Sequence, residues 1–338
     1  MASLWVTVAL LLGSAVVIYL SCEYFVNGVE WVGHKLAVGE KATGTVLAAF
    51  GTALPESVVT LVAVAFGGTA AAKDLGVGAA LGGPLALATI AYATVGIMLL
   101  LSRRRLADTP AMRADLRGLS RDQGWFLAIF VVKIALGLVL FTLKPWLGIL
   151  FLAAYALYVR QEMRADGDDD DAEGALEPLR FQPKAETPGT GIAIVQTLAA
   201  LAVIFFASRL FVAQLEQLGP VLGLKPQLLA LLLSPIATEL PETMNAIIWV
   251  RQGKHRLALA NISGAMMIQA TIPTALGLFF TPWLFDRSLL LAAGVTAMSI
   301  AVLFVAFRGG WISRALLASM GLLYLLFAGL LVALHLGR

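Results

Sequence analysis

A chain of 338 residues that is 59% hydrophobic and only 13% charged, with a mean hydropathy of +0.87, is too apolar for a water-soluble domain. The formal net charge of +3 carries little as a total, and no nucleic-acid partner is expected. The single cysteine, Cys22, excludes an internal disulfide.

A bilayer crossing needs roughly 17 to 25 apolar residues. The first such run, about residues 4–26, follows Met1-Ala2-Ser3-Leu4-Trp5 with no basic stretch before it, so a cleaved signal peptide is not expected. The second, about 43–66, contains Thr52-Ala53-Leu54-Pro55-Glu56, and the third, about 74–100, contains Leu81-Gly82-Gly83-Pro84-Leu85. The fourth and fifth cover about 124–143 and 145–160. Lys133 lies midway along the fourth; it needs a partner or a water path, or else it snorkels from a peripheral helix. Residues 162–189 then change character, with Asp168 to Asp171 in a row and Pro178, Pro183 and Pro188. They read as a solvated, mobile acidic linker. Five further apolar runs follow, about 190–214, 226–250, 257–280, 286–307 and 313–334. The second of these contains Thr238-Glu239-Leu240-Pro241-Glu242. Arg209, near a span end, reads as snorkelling, and Glu23 as a residue that draws cations to a vestibule.

Lys and Arg concentrate in alternate loops, seventeen in one set against five in the other. The basic set marks the cytoplasmic side, which puts both chain ends on the other side. Shifting the chain by 186 residues superposes Phe25-Val26 on Phe211-Val212, Glu30 on Glu216, Gly33 on Gly219 and the two Thr-x-Leu-Pro-Glu motifs on each other. A shift of 182 then matches Gly82 to Gly264 and Thr89 to Thr271. Each half thus holds five spans, and because five is odd the halves lie inverted in the membrane, a recurring plan of secondary transporters. The expected fold is an all-α integral membrane protein of ten transmembrane helices in two inverted five-helix repeats, with helices two and seven broken. Residues 1–161 form the first repeat, 162–189 the cytoplasmic linker and 190–338 the second repeat.

A buried glutamate costs free energy unless it has a partner or a task, and a proline frees carbonyls of the preceding turn at the same depth. Thr52 and Glu56, like Thr238 and Glu242, are four residues apart and would share a helix face. Carboxylate, hydroxyl and carbonyl oxygens suit hard cations such as Ca2+ and Na+, and no histidine or cysteine is placed for a softer metal. Glu239, whose repeat mate is Ala53, is a ligand, a proton relay or a cavity-lining residue.

With these motifs the chain resembles the cation/Ca2+ exchanger superfamily over nearly its whole length. Phe50-Gly51-Thr52-Ala53-Leu54-Pro55-Glu56 looks like that family's first signature and Ala237-Thr238-Glu239-Leu240-Pro241-Glu242 like its second. Each is followed one helix later by a Gly-rich stretch, residues 81–85 and 260–266. The resemblance implies a Ca2+ antiporter rather than an enzyme, with Glu56 and Glu242 as central ligands completed by Thr52, Thr238 and nearby carbonyls. Glu239 and Gln269 are further candidates. Where sodium-coupled members often carry Ser and Asn in the third span and Ser and an acid in the eighth, this chain has Gly83, Leu87, Ala265 and Gln269. Side-chain oxygens for peripheral Na+ are therefore missing, and H+ rivals Na+ as counter-ion. Glu239, Gln269, Asn245 and Asn261 are an alternative means of rebuilding a Na+ site.

The expected activity is exchange of Ca2+ for Na+ or H+ by alternating access at a midplane site, in a multi-pass protein of a prokaryotic cell membrane. The expected partners are Ca2+, a monovalent counter-ion and the lipid bilayer, with no cofactor besides the transported ions. Exchange of another cation is the alternative, and a channel or a membrane-embedded hydrolase ranks below it. For the hydrolase, no nucleophile, metal triad or Arg cluster lies at the depth of the glutamates.

Overall fold

Inside a bilayer every backbone donor and acceptor must be satisfied by the chain itself, and long runs of Leu, Ala, Val and Ile meet that demand as helix. In a computed structural model, which describes residues 2–35, 48–102, 110–165 and 176–334, the described chain is helical with no strand. In chain order the helices are α1 (Ala2–Lys35), α2 (Ala48–Leu61) with a π turn at Val62–Phe66, and α3 (Ala70–Ala86), joined by a π turn at Leu87–Ala91 to α4 (Tyr92–Leu101). Then come α5 (Pro110–Leu138), α6 (Gly148–Ala165), α7 (Thr190–Leu222), α8 (Pro226–Thr238), α9 (Leu240–Arg251), α10 (His255–Phe280), α11 (Arg287–Gly309) and α12 (Arg314–Ala333). Six helical rods among the described residues are long and apolar enough to cross a membrane: α1, α3–α4, α7, α10, α11 and α12. Their outer faces leave large apolar side chains uncovered, among them Phe206, Leu322 and Leu325, as a lipid-facing surface requires.

Two apolar cores divide the molecule. One is built from α1, α2, α7, the start of α3 and part of α8, around Ile18, Val59, Leu75 and Ile204. The other joins the rest of α3 to α4, α5, α6, α10, α11 and α12, around Leu85, Phe130, Ile268 and Leu303. The seam between them runs along α3 and α8, which lie in direct backbone contact. A Cβ on Gly82 would sit 2.6 Å from the Leu231 carbonyl oxygen, and one on Gly78 would overlap the Gln227 carbonyl. Only glycine allows that approach. Helix pairs follow the two halves: α1 packs on α7, α5 on α11, α3 on α8 and α2 on α10, α4 on α12 and α6 on α10, α5 on α10 and α3 on α11.

Two expectations change, while the break expected in helix seven is present. Helix two is not broken at its proline: α2 runs continuously through Pro55, whose φ suits a helix and whose missing donor costs a single bond to Gly51. Helix seven breaks at one residue, Glu239 (φ −101°, ψ 0°), between α8 and α9. Pro241 falls in the first turn of α9, where its missing N–H has no intrahelical acceptor to lose. Residues 176–189 are not a solvated tether, because Leu179 is fully buried there. Asn27 Nδ2 donates to the carbonyls of Glu177 and Pro178, both at 3.3 Å, and Trp31 Nε1 to that of Glu177 at 2.8 Å. Gln196 Oε1 accepts from Phe181 N at 2.8 Å, so the segment grips α1 and α7 together. The Asp168–Asp171 run lies outside the described residues.

On the opposite side Lys144 ties two connections, donating to the carbonyls of Val139 (2.6 Å), Pro282 (2.8 Å) and Trp283 (2.9 Å). Desolvation there pushes its pKa below the usual lysine value.

Candidate ion-binding site

Where α2 meets the α8–α9 break, the chain gathers polar side chains that are essentially sealed from solvent: Glu56, Ser234, Thr238, Glu239, Glu242 and Gln269. Thr238 Oγ1 lies 2.7 Å from Glu56 Oε2, 2.9 Å from Glu239 Oε1 and 3.2 Å from the Ser234 carbonyl oxygen. Gln269 Nε2, from α10, donates to Glu239 Oε2 at 2.7 Å. A hydroxyl owns one proton, so both carboxyl contacts of Thr238 are hydrogen bonds only when one of the two acids is protonated and donates to Oγ1. Within this cluster, Glu56 Oε1, Gln269 Oε1 and Ser234 Oγ face no hydrogen-bond partner among the described residues. Uncompensated buried oxygens of this kind are what a bare hard cation satisfies.

The α8–α9 break also shapes the electrostatics of the site. Glu242 sits fully buried in the first turn of α9, where the positive end of the helix dipole favours a carboxylate. The Glu239 carbonyl accepts from Thr243 Oγ1 at 2.9 Å, which fixes the broken residue's backbone. Because the break separates Thr238 from Glu242, those two do not share a helix face as their spacing implied. Thr238 instead reaches across to Glu56. Thr52 falls on α2, and its side chain lies outside the described residues.

Gly83 explains one departure from the sodium-coupled pattern. A Cβ on Gly83 would lie 2.7 Å from Gln269 Oε1 and 2.9 Å from Glu239 Oε1, so these two side chains occupy the space a larger residue would take. Leu87 opens a π turn, and the turn's Ala88 carbonyl accepts from Ser299 Oγ of α11 at 2.5 Å. Lys133 points inward, completely buried, and donates to the carbonyls of Ala80 (2.7 Å) and Gln269 (3.4 Å), so the snorkelling alternative fails. Arg209 and Glu23 are exposed, in keeping with peripheral roles.

Two buried groups were not anticipated. Ser234 stands one helical turn before Thr238 on α8, so its hydroxyl faces the same cluster. Gln123 Nε2 donates to Tyr92 Oη and Ser263 Oγ, each at 2.8 Å, locking α4, α5 and α10 together. A glutamine inside an apolar run was the available signal.

Comparison with known proteins places this geometry in context. The family described as sodium/calcium exchanger protein matches residues 6–160 and 192–334, leaving the linker between the two matched stretches. CaxA of Alkalimonas amylolytica, a protein named as an antiporter, is 26% identical over 95% of this chain and 98% of its own length. The inner membrane protein YrbG of Escherichia coli (strain K12) is 27% identical over 82% of this chain and 80% of its own. Among solved structures, an H+/Ca2+ exchanger, CAX, has a similar fold with a TM-score of 0.67 at 16% identity, covering 97% of this chain and 88% of that one. The sodium-calcium exchanger NCX_Mj has a TM-score of 0.60 at 16% identity, covering 96% and 99%. With both halves matched and a multi-pass helical architecture, the chain belongs to the sodium/calcium exchanger protein family, as an integral membrane antiporter and not an enzyme.

Proposed function

We propose that this protein exchanges Ca2+ for H+ or Na+ by alternating access at the buried site between α2 and the α8–α9 break. One observation carries the proposal: Glu56 is joined to the second motif through Thr238, with Glu56 Oε1 and Gln269 Oε1 left without hydrogen-bond partners among the described residues in a sealed cluster. Glu56 and Glu242 are the central ligands, with Thr238, Glu239 and Gln269 beside them and Thr52 supplying its hydroxyl. Two deprotonated acids facing each other in a low dielectric repel, so the site needs a cation for the return stroke, and that need gives exchange instead of leak. The proton that Thr238 requires between Glu56 and Glu239 favours H+ as the occupant when Ca2+ leaves.

The architecture in this reading is two inverted five-helix repeats, residues 1–161 and 190–338, joined by a cytoplasmic linker at 162–189, with both ends outside the cytoplasm of a prokaryotic cell. Support comes from the helix pairs. Exchanging the halves turns the α3/α8 contact into α10/α2, α4/α12 into α10/α6, and α5/α10 into α11/α3, all of which occur. The test is 45Ca2+ flux in everted vesicles under imposed proton or Na+ gradients. Gradient-driven flux is expected in wild type and a loss of at least about tenfold in Glu56→Gln and in Glu242→Gln, equivalent to about 1.4 kcal/mol or more. Unimpaired flux in both variants overturns the site assignment, and flux that needs neither gradient identifies a channel.

A further inference from the structure

Lys133 is a cationic group in the buried centre whose role the exchange reading leaves unassigned. Its ammonium is completely enclosed, and among the described residues its hydrogen-bond partners are two backbone carbonyls, Ala80 in α3 at 2.7 Å and Gln269 in α10 at 3.4 Å. Those two carbonyls share an origin. In a helix each accepts from the N–H four residues on, and those residues here are Pro84 and Pro273, which have none. Each proline thus leaves one carbonyl open, and the two open carbonyls converge on a single positive charge. The rings of Phe130 and Trp283 lie 5.4 and 5.8 Å from Nζ and add their electron-rich faces. Trp283 Nε1 donates to the Lys133 carbonyl at 3.3 Å, which holds the backbone that carries the ammonium. Gln269, whose carbonyl the ammonium binds, also holds Glu239 through its side chain.

Proline-freed carbonyls converging from two packed helices beside buried acids are the oxygen set a small monovalent cation takes in a membrane. We infer that the Lys133 ammonium is a tethered cation filling a monovalent-ion position beside the Ca2+ ligands, so that the protein carries in its own sequence a charge that would otherwise be a bound Na+. This rests on the exchange reading of the same site. A staple that merely pins α3 to α10 would require the two hydrogen bonds but no positive charge. The distinction is testable, because removing the ammonium while leaving the carbonyls in place creates a vacancy of defined chemistry.

The experiment is equilibrium binding of 22Na+ to purified, lipid-reconstituted protein without Ca2+, for wild type, Lys133→Ala, Lys133→Met and Lys133→Arg. Lys133→Ala opens the space and is expected to bind one more Na+ per chain than wild type. Lys133→Arg keeps a charge and is expected to match wild type, while Lys133→Met fills the space with an apolar chain and is expected to gain none. Preparation in Na+ and in choline buffers covers the case in which Lys133→Ala is unstable: folding in Na+ but not in choline supports the inference, and equal failure in both overturns it. An unchanged Na+ count in Lys133→Ala also overturns it. 45Ca2+ flux measured on wild type separates the two readings. Absent Ca2+ flux defeats the exchange proposal whatever the Na+ count, whereas normal flux with no extra Na+ in Lys133→Ala defeats the tethered cation alone.

Discussion

Thr238 is placed where one hydroxyl must serve two acids, and that arrangement is sensitive to what else occupies the site. With no metal, its O–H is a donor to a buried carboxyl, and removing a donor from a buried charged acceptor costs about 1.5 to 3 kcal/mol. Thr238→Val should therefore lower the Tm of Ca2+-free protein, and saturating Ca2+, which replaces the lost donor with a cation, should recover most of the difference. Thermal unfolding with and without Ca2+ checks this; equal Tm values for variant and wild type without Ca2+ refute the bond. The residues legible from sequence at this scale were those whose chemistry conflicts with an apolar run, Glu56 and Glu242 above all, and both are fully buried. Less legible were residues whose meaning is spatial. Gly83 reads as a lost ligand, yet its lack of a side chain is what admits Gln269 and Glu239. Lys133 left two readings open because only packing reveals which way a mid-span lysine points.

At the level of helices, a helix overlaps each expected apolar run, but α1 ends nine residues and α7 eight residues beyond the expected span and α5 begins fourteen residues before it, because a helix continues through polar turns that hydropathy does not count. The breaks were harder. Both motifs contain Leu-Pro-Glu, yet α2 continues through Pro55 while the second copy breaks at Glu239, two residues before Pro241. A proline removes one donor and restricts its predecessor; whether the helix then bends or restarts depends on neighbours such as Thr243, which bonds the Glu239 carbonyl. Residues 176–189 depart from a solvated linker for a related reason: their composition is polar, but Asn27, Trp31 and Gln196 in the flanking helices supply a polar seat for the backbone. The α3/α8 seam gives the prediction at this scale. A methyl on Gly78 meets the Gln227 backbone, which cannot swing aside as a side chain can, so Gly78→Ala should destabilise by about 1 to 3 kcal/mol and shift α8. Because α8 carries Thr238, the Tm and the apparent Ca2+ affinity should fall together. A lower Tm with unchanged affinity would show that the seam does not position the site.

Across the whole molecule, the two apolar cores meet along α3 and α8 beside the proposed ligands, so the exchange proposed above would need only a rigid movement of one core against the other, without remaking either core. α1 and α7 belong to the same core over most of their length, and the segment at 177–181 binds both through Asn27 and Gln196. If they move as one body, a covalent link between them should be harmless. Gly28 and Thr197 offer the place for it, because a Cβ built on Gly28 would meet Thr197 Oγ1 at 2.5 Å and the Thr197 backbone nitrogen at 3.2 Å, so the two positions face each other in close contact across α1 and α7. In a Cys22→Ala background, oxidation of a Gly28→Cys/Thr197→Cys pair should leave 45Ca2+ flux within about twofold of the reduced protein, well under the 1.4 kcal/mol that a tenfold change represents. Abolished flux that reductant restores would mean instead that α1 and α7 slide past each other during the cycle, and the moving boundary would then lie between those two helices and not along α3 and α8.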